Sequence, residues 1–381
     1  MKINFIKLLY EEENNMKNNK GITLVALVVT IVVLLILATV SINLVLGDNG
    51  IVKKAQDAKT KSAEASENDL KGMNSLVSEM EGALAENGSA GSGSGNGNIE
   101  SGNNFVTKNT EVTYPDGKVW IPEDFKVADD SASTVQGGVV IEDKDGNQFV
   151  WVPVATIADY KRTWYTGYGS FSDYLEALPE NEKTSVETYK GFYIGRYEAG
   201  DKENTEAKTL RSSNDVAKTV TIKANQAPYN YVTRTQAVSL AEGFATKQGY
   251  KAKTKLVSSY AWDTTIAFLQ KVNSDYGNSS EEGNYIDTTF LYTDITGASQ
   301  TKEENLDVLV PTGQTTPVCN IYDMGGNVWE WTTESFSHTS FPYAFRGGSY
   351  LSNFAGYPAG NRNNYSDRAG AYYGFRLTLF M

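Results

Sequence analysis

Two residue types that occur once each, Cys319 and His338, limit the chemistry open to the chain. One cysteine excludes an intrachain disulfide, so an exported form must be stabilised by core burial. One histidine argues against histidine-based zinc sites and against Ser-His-Asp triads. A net charge of -12 over 381 residues, with Lys and Arg scattered, argues against nucleic acid as a partner. These residues favour binding over covalent catalysis.

The segment between Gly348 and Gly374 has the composition of a binding surface. Tyr, Ser, Gly, Asn and Asp dominate it, and long aliphatic side chains nearly vanish. Tyr supplies a large amphipathic contact at low entropic cost, while Ser, Gly and Asn adapt their hydrogen bonds. The predicted contact residues are Asn353, Phe354, Tyr357, Asn361, Asn363, Asn364, Tyr365, Asp367, Tyr372 and Tyr373. An ordinary polar loop is the alternative.

Three motifs surround this segment: IYDMGGNVWEWT at 321–332, RGGSY at 346–350 and GFRL at 374–377. If the first forms a strand, alternation buries Trp329 and Trp331 on one face and directs Glu330 the other way.

These motifs resemble the formylglycine-generating enzyme family, also called the sulfatase-modifying domain. Three earlier segments follow the order of that family: VWVP at 150–153, FYIGRYE at 192–198 and LVSSYAWD at 256–263. The resemblance implies a C-type-lectin-like α+β fold over residues 105–381, with an irregular mixed sheet and two helices.

The resemblance also implies where catalytic cysteines would stand. The family binds copper and its substrate thiol through two cysteines after the RGGS motif, and the aligned positions are Ser352 and Tyr357. Cu(I) prefers soft thiolates, so we expect neither copper nor formylglycine-generating activity. The alternative is an enzyme of this fold with altered chemistry, such as a non-haem iron oxidase, but that site would need a second histidine beside His338.

A structural calcium ion is a further implication of the resemblance. By position, its ligands would be the side chains of Asp323 and Glu330 and the carbonyls of Gly326 and Val328. An all-oxygen set with two carboxylates suits a hard cation. In the alternative, Asp323 caps a turn and Glu330 pairs with an arginine such as Arg346 or Arg376.

At the N-terminus, residues 22–47 carry no charge and are long enough to cross a membrane, since about 20 residues span the hydrocarbon core. Lys17 and Lys20 precede the run, which places everything after Gly47 outside the cell. A buried core helix is the alternative.

The segment KGITLVAL at 20–27 resembles the class III signal of type IV pilins and pseudopilins. The resemblance implies cleavage by a prepilin peptidase between Gly21 and Ile22, and contact with other pilins through the helix. Most pilins have Glu as the fifth mature residue, where this chain has Ala26, which suits a minor or tip subunit. A plain single-pass anchor is the alternative.

The predicted organisation is a basic leader (1–21), a transmembrane or pilin helix (22–47), a helical stalk (48–86), a flexible Gly/Ser/Asn linker (87–104) and the lectin-like domain (105–381). Within that domain we predict a hairpin around Asp145, a strand at 192–198, and helices at 235–248 and 258–272, the second capped by Ser258 or Ser259.

Residues 348–374 also resemble the variable region of proteins diversified by a diversity-generating retroelement. The leading hypothesis is a membrane-anchored, pilin-like adhesin or receptor at the cell surface or pilus tip. Its partner would be a protein or glycan on another cell, a phage or a host. A structural minor pilin without diversified binding is the alternative.

Overall fold

The computed structural model describes residues 104–165, 170–278 and 282–381. The chain divides into two units, Met1–Gly95 and Asn96–Met381, and every element below belongs to the second. The predictions for residues 1–103, including the Gly21–Ile22 cleavage site, the apolar helix and the stalk, lie outside the described residues.

Among the described residues, no helix combines the length and apolar character that membrane crossing requires.

Short strands outnumber helices in the described part. The helices are α1 (Val135–Gly138), α2 (Glu180–Tyr189), α3 (Lys202–Glu206), α4 (Arg234–Gln248) and α5 (Ser259–Leu269). The strands are β1 (Thr110–Tyr114), β2 (Gly117–Ile121), β3 (Lys126–Val127), β4 (Val140–Glu142), β5 (Gln148–Pro153), β6 (Tyr174–Leu175), β7 (Gly191–Gly195), β8 (Gly200–Asp201), β9 (Val220–Thr221), β10 (Ala227–Pro228), β11 (Lys253–Leu256), β12 (Phe290–Thr293), β13 (Ser299–Lys302), β14 (Trp329–Phe336), β15 (Tyr343–Arg346), β16 (Arg362–Tyr365), β17 (Tyr373–Phe375) and β18 (Leu377–Phe380).

Two larger sheets organise these strands. One is antiparallel with the order β11-β18-β7-β5-β4-β3. The other has the order β16-β15-β14-β17, with β6 also paired to β14, and its β14–β17 pair is parallel. The domain is therefore α+β with a mixed, irregular sheet, as predicted.

The predicted hairpin is confirmed, because β4 pairs with β5 through a turn at 143–147. Asp143 Oδ1 accepts the Asn147 N–H at 2.7 Å, and Gly146 takes a φ of +79° that favours glycine. The predicted strand at 192–198 is β7, which ends earlier at Gly195.

Both predicted helices are present. Helix α4 begins after Thr233, whose side chain and that of Gln236 form a capping box. Helix α5 begins after Ser258, whose Oγ accepts the Ala261 N–H at 3.1 Å, and it ends at Leu269 rather than at the predicted residue 272. Ser258 is therefore the cap.

The Trp-Glu-Trp motif opens β14 with the predicted alternation. Trp329 and Trp331 both contact the ring of Phe345, with centroids 4.8 and 5.3 Å apart. Glu330 points away from them and is also fully buried, because it meets Arg376. Both faces of the strand therefore lie inside the domain.

Candidate functional site

The RGGSY motif carries the chain from β15 into the loop at 349–361 through a bend at Gly347. Gly347 and Gly348 have φ values of +92° and +77°, a left-handed backbone that favours glycine. A Cβ on Gly348 would lie 2.5 Å from the Tyr357 carbonyl oxygen and 2.8 Å from the Tyr285 ring. A larger residue there would displace the loop, so the glycines set the path of residues 349–361.

Strands β14 to β17 and this loop line an open concave surface with a volume of about 510 Å³, which we call the aromatic pocket. It is lined by Trp329, Phe341, Phe345, Ser349, Leu351, Ser352, Asn353, Tyr357, Asn363, Asn364, Tyr365, Tyr372 and Tyr373. Buried rings form its floor, whereas Phe341 and Leu351 are 39% and 41% exposed. Every lining side chain is uncharged, so a ligand would meet rings, amides and hydroxyls.

The rings of the aromatic pocket hold one another in place. Tyr373 stacks on Trp331 with centroids 4.9 Å apart and contacts Tyr372 at 4.7 Å. Phe341 contacts Tyr365 at 5.2 Å. Each such contact stabilises by about 0.5–1.5 kcal/mol beyond the area buried, so the ring faces are preorganised.

Two amide side chains in the pocket keep donors free. Asn353 Oδ1 accepts the Gly356 N–H at 2.6 Å, and Asn363 Oδ1 accepts the Asn364 N–H at 2.8 Å. Within the described ranges, the Nδ2 atoms of Asn353 and Asn363 have no protein partner. Each amide nitrogen can therefore donate to an acceptor on a ligand.

Behind the pocket lies a group of buried charges, Asp263, Glu334, Arg346 and Arg362, which we call the ionic layer. Each of these side chains is at most 1% exposed. Asp263 accepts Arg346 Nη2 at 2.7 Å and also Arg362 Nη2, and Glu334 Oε2 accepts Arg362 Nε at 3.1 Å. These contacts pair each buried charge with an opposite one, as buried ions require, although Arg346 Nη1 has no hydrogen-bond partner among the described residues.

The strand register explains how the pocket and the ionic layer share the same segments. On β15 and β16, Phe345 pairs with Asn363 and Arg346 pairs with Arg362. Because successive side chains of a strand point to opposite faces, the first pair lines the pocket and the second enters the ionic layer.

Residues 168–379, more than half of the chain, match the family described as "Sulfatase-modifying factor enzyme 1-like domain". The chain belongs to this family. No curated protein matches it.

Solved structures similar to this family member include CarF, with 15% identity over 55% of this chain and 95% of that chain and a TM-score of 0.34. PvdO from Pseudomonas aeruginosa has 17% identity over 64% of this chain and 98% of its own, with a TM-score of 0.39. Treponema denticola variable protein 1 has 13% identity over 62% and 96%, with a TM-score of 0.32.

The two positions aligned with the family's cysteines meet at the aromatic pocket. Ser352 and Tyr357 both line it, and Ser352 Oγ accepts the Ser349 N–H at 3.1 Å. Cys319 lies elsewhere, buried, and burial raises the pKa of its thiol to about 11, which disfavours the reactive thiolate. At the two positions that the resemblance aligns with the family's cysteines, this sulfatase-modifying-like domain carries a hydroxyl and a phenol.

At the loop predicted to hold calcium, Glu330 is paired with Arg376, which lies between β17 and β18. Arg376 Nη2 and Nε donate to Glu330 Oε1 and Oε2 at 2.7 and 3.0 Å, and Arg376 also donates to the Gly195 and Tyr322 carbonyls, at 2.8 Å each. Asp323 Oδ2 accepts the Gly313 N–H at 2.7 Å. This corresponds to the alternative, in which Glu330 pairs with an arginine.

In the described part of the chain, no group of three or more His, Cys, Asp or Glu side chains is placed to hold a metal. Burial raises the pKa of Asp323 to about 6 and that of Glu198 well above its usual range. As arranged here, the loop does not fit a calcium ion, because a guanidinium already neutralises Glu330.

Seven of the ten predicted contact residues line the aromatic pocket, and three do not. Asn361 is fully buried, and its carbonyl accepts Arg346 Nε at 2.9 Å, so its position is structural. Phe354 packs on Tyr285 at 6.4 Å between centroids. Asp367 Oδ1 accepts the Thr235 N–H at 3.1 Å, in the first turn of α4.

Sequence reasoning missed the pocket residues that come from outside the Tyr/Asn-rich segment. Phe341 lies in the turn before β15 and is stacked on His338 at 5.2 Å, and Phe345 lies on β15. Alternation with Arg346 could have placed Phe345 on the pocket face, but no pattern marks Phe341.

Proposed function

We propose that the C-terminal domain binds an uncharged ligand in the aromatic pocket and performs no covalent step. The main support for this proposal is a concave surface on β14 to β17 and the adjoining loop that has no charged side chains, rings held by their neighbours and free amide donors. Such pockets of roughly 300–1,000 Å³ with a few placed polar groups are typical ligand sites. The absence of Cys, His, Asp, Glu and Lys from the lining of the pocket supports the non-catalytic part.

The remaining parts of the proposal come from the sequence. The apolar helix at 22–47 would anchor the chain with the domain outside the cell, and the pilin-like signal with Ala26 favours a pilus tip. Residues 348–374 would vary between copies of the protein, as a diversity-generating retroelement would produce. A nearby reverse transcriptase and a repeat of the coding sequence that differs only at adenines would test that variation.

Binding is tested with the full chain in detergent on arrays of neutral and acidic glycans and of proteins. We expect Tyr372→Ala to weaken binding at least about tenfold, the loss of roughly 1.4 kcal/mol typical of a hot-spot aromatic. Asn363→Asp should do the same, because it replaces a free donor with a charged acceptor. Tyr292→Ala, in β12 and outside the pocket lining, is the control and should change affinity less than about twofold.

Two results would contradict the proposal. One is the absence of a bound probe on every array. The other is binding that survives both pocket substitutions, which would favour the structural minor pilin or place the contact surface elsewhere.

A further inference from the structure

Lys302, the last residue of β13, carries a buried ammonium group surrounded by main-chain oxygens. Its side chain is fully buried, and Nζ donates to the carbonyls of Tyr285, Ile286 (3.1 Å) and Thr288 (2.7 Å). These bonds use all three donors of the ammonium. In the described part of the chain, Lys302 forms no ion pair with a carboxylate.

Three carbonyl oxygens converging on one positive charge form a cation site built from backbone. Hard cations are held in proteins by such oxygens, but here the cation is covalently part of the chain. If the charge were removed, the carbonyls would be buried side by side without partners, which is costly for polar groups. The path of residues 285–288 therefore depends on the ammonium.

Residues 285–288 in turn contact the wall of the aromatic pocket. The Ile286 N–H donates to the Ser352 carbonyl at 2.9 Å, and Asp287 Oδ1 accepts the Phe354 N–H at 3.2 Å. The Tyr285 hydroxyl donates to the Gly347 carbonyl at 3.0 Å. Three successive residues thus hold the loop that carries the pocket's Ser349, Leu351, Ser352 and Asn353.

We infer that Lys302 is a positioning residue whose ammonium acts as an internal cation, and that its carbonyl cage accepts a free small cation when the side chain is shortened. By holding residues 285–288, Lys302 sets the wall at 347–354 against which the ligand binds. The statement about the ligand-binding wall rests on the proposed function, whereas the cation cage rests on the contacts of Lys302 alone.

The test uses Lys302→Ala in the full chain, with amide hydrogen exchange as the readout. We expect protection at the Ile286 and Phe354 amides to fall at least about tenfold as local opening becomes easier. Methylammonium chloride should restore most of that protection, because its ammonium can donate to the same carbonyls. Tetramethylammonium chloride at equal ionic strength is the matched control and should restore none, since it has no N–H donor.

Lys302→Met keeps the stem of the side chain without the charge. It should lose the same protection and show no recovery with methylammonium, because the stem fills the cage. If Lys302→Ala does not fold, the Met variant alone decides, and unchanged protection at Ile286 and Phe354 would overturn the inference. Equal recovery with both salts, or recovery with neither, would overturn the cation cage.

Ligand binding separates this inference from the proposed function. If a glycan or protein probe binds the unmodified chain, we expect Lys302→Ala to weaken that binding at least about tenfold, with recovery in methylammonium. If the cage responds as expected but no probe binds the unmodified chain, the proposed function fails and the cage stands. If binding survives while the cage is disrupted, Lys302 does not position the pocket.

Discussion

The aromatic pocket and the ionic layer occupy opposite faces of the same two strands, and their side chains are satisfied in opposite ways. Arg346 and Arg362 donate to Asp263, Glu334 and nearby carbonyls within the protein, although Arg346 Nη1 has no partner among the described residues. On the other face, Asn363 keeps a donor free. A substitution in the first set leaves a buried charge without a partner, whereas Asn363→Ala in the second removes one local hydrogen bond and no charge. The ionic layer therefore holds the scaffold, and under the proposed function the pocket face is the one that would vary in sequence.

The largest effect should come from breaking the ionic layer. Asp263→Asn would leave two buried guanidinium groups with one carboxylate fewer, so we expect the free energy of unfolding to fall by about 3–5 kcal/mol. Asn363→Ala on the pocket face should cost less than about 1 kcal/mol. Urea unfolding followed by tryptophan fluorescence measures both. Equal costs would show that the two faces do not differ in this way.

A smaller effect concerns pH, through Glu176 next to the ionic layer. This carboxyl accepts the Ser259 N–H at 2.8 Å and bonds with the Thr333 hydroxyl, and burial raises its pKa from 4.5 to about 7. Because the folded pKa is raised, its contribution to stability is full below pH 4.5 and is lost as the pH rises through 7. The loss should be on the order of 1–3 kcal/mol.

Melting temperatures at pH 5 and pH 8 test this prediction, and Glu176→Gln should flatten the difference between them. The aromatic pocket contains no carboxylate, amine or imidazole in its lining, so ligand affinity should stay within about twofold over the same range. If the difference in melting temperature between pH 5 and pH 8 is unchanged in Glu176→Gln, the pH dependence of stability comes from other buried acids, such as Asp323.

The smallest effect should be that of calcium. Arg376 already neutralises Glu330, so exchanging millimolar calcium for a chelator should shift the melting temperature by less than about 1 °C. A stabilisation of several degrees that is lost in Glu330→Gln would instead support the calcium ligands predicted from the sequence.

Several local features could be predicted from the sequence because their causes are local. The β4–β5 hairpin follows from a turn around Asp-Gly-Asn, and α5 follows from the cap at Ser258. The Tyr/Asn-rich composition marked most of the pocket, since Tyr and Asn side chains supply many of the rings and amides that line it. Asn361 lies in the same segment but does not line the pocket, because its carbonyl accepts a hydrogen bond from the buried Arg346.

By itself, the sequence determined two things. The order and spacing of its motifs indicated the family, and its composition indicated the segment that carries most of the pocket. Only the tertiary structure decided which charges meet. Arg362 reaches Asp263 from 99 positions away, and Glu330 pairs with Arg376 rather than with Arg346, its cross-strand neighbour. Lys302 likewise finds its three carbonyls only when β13 folds against residues 285–288. These partners depend on packing between segments that are distant in the sequence. A buried charge is stable only beside an opposite charge or a dipole, and the periodicity and composition of the sequence do not show which partner that is.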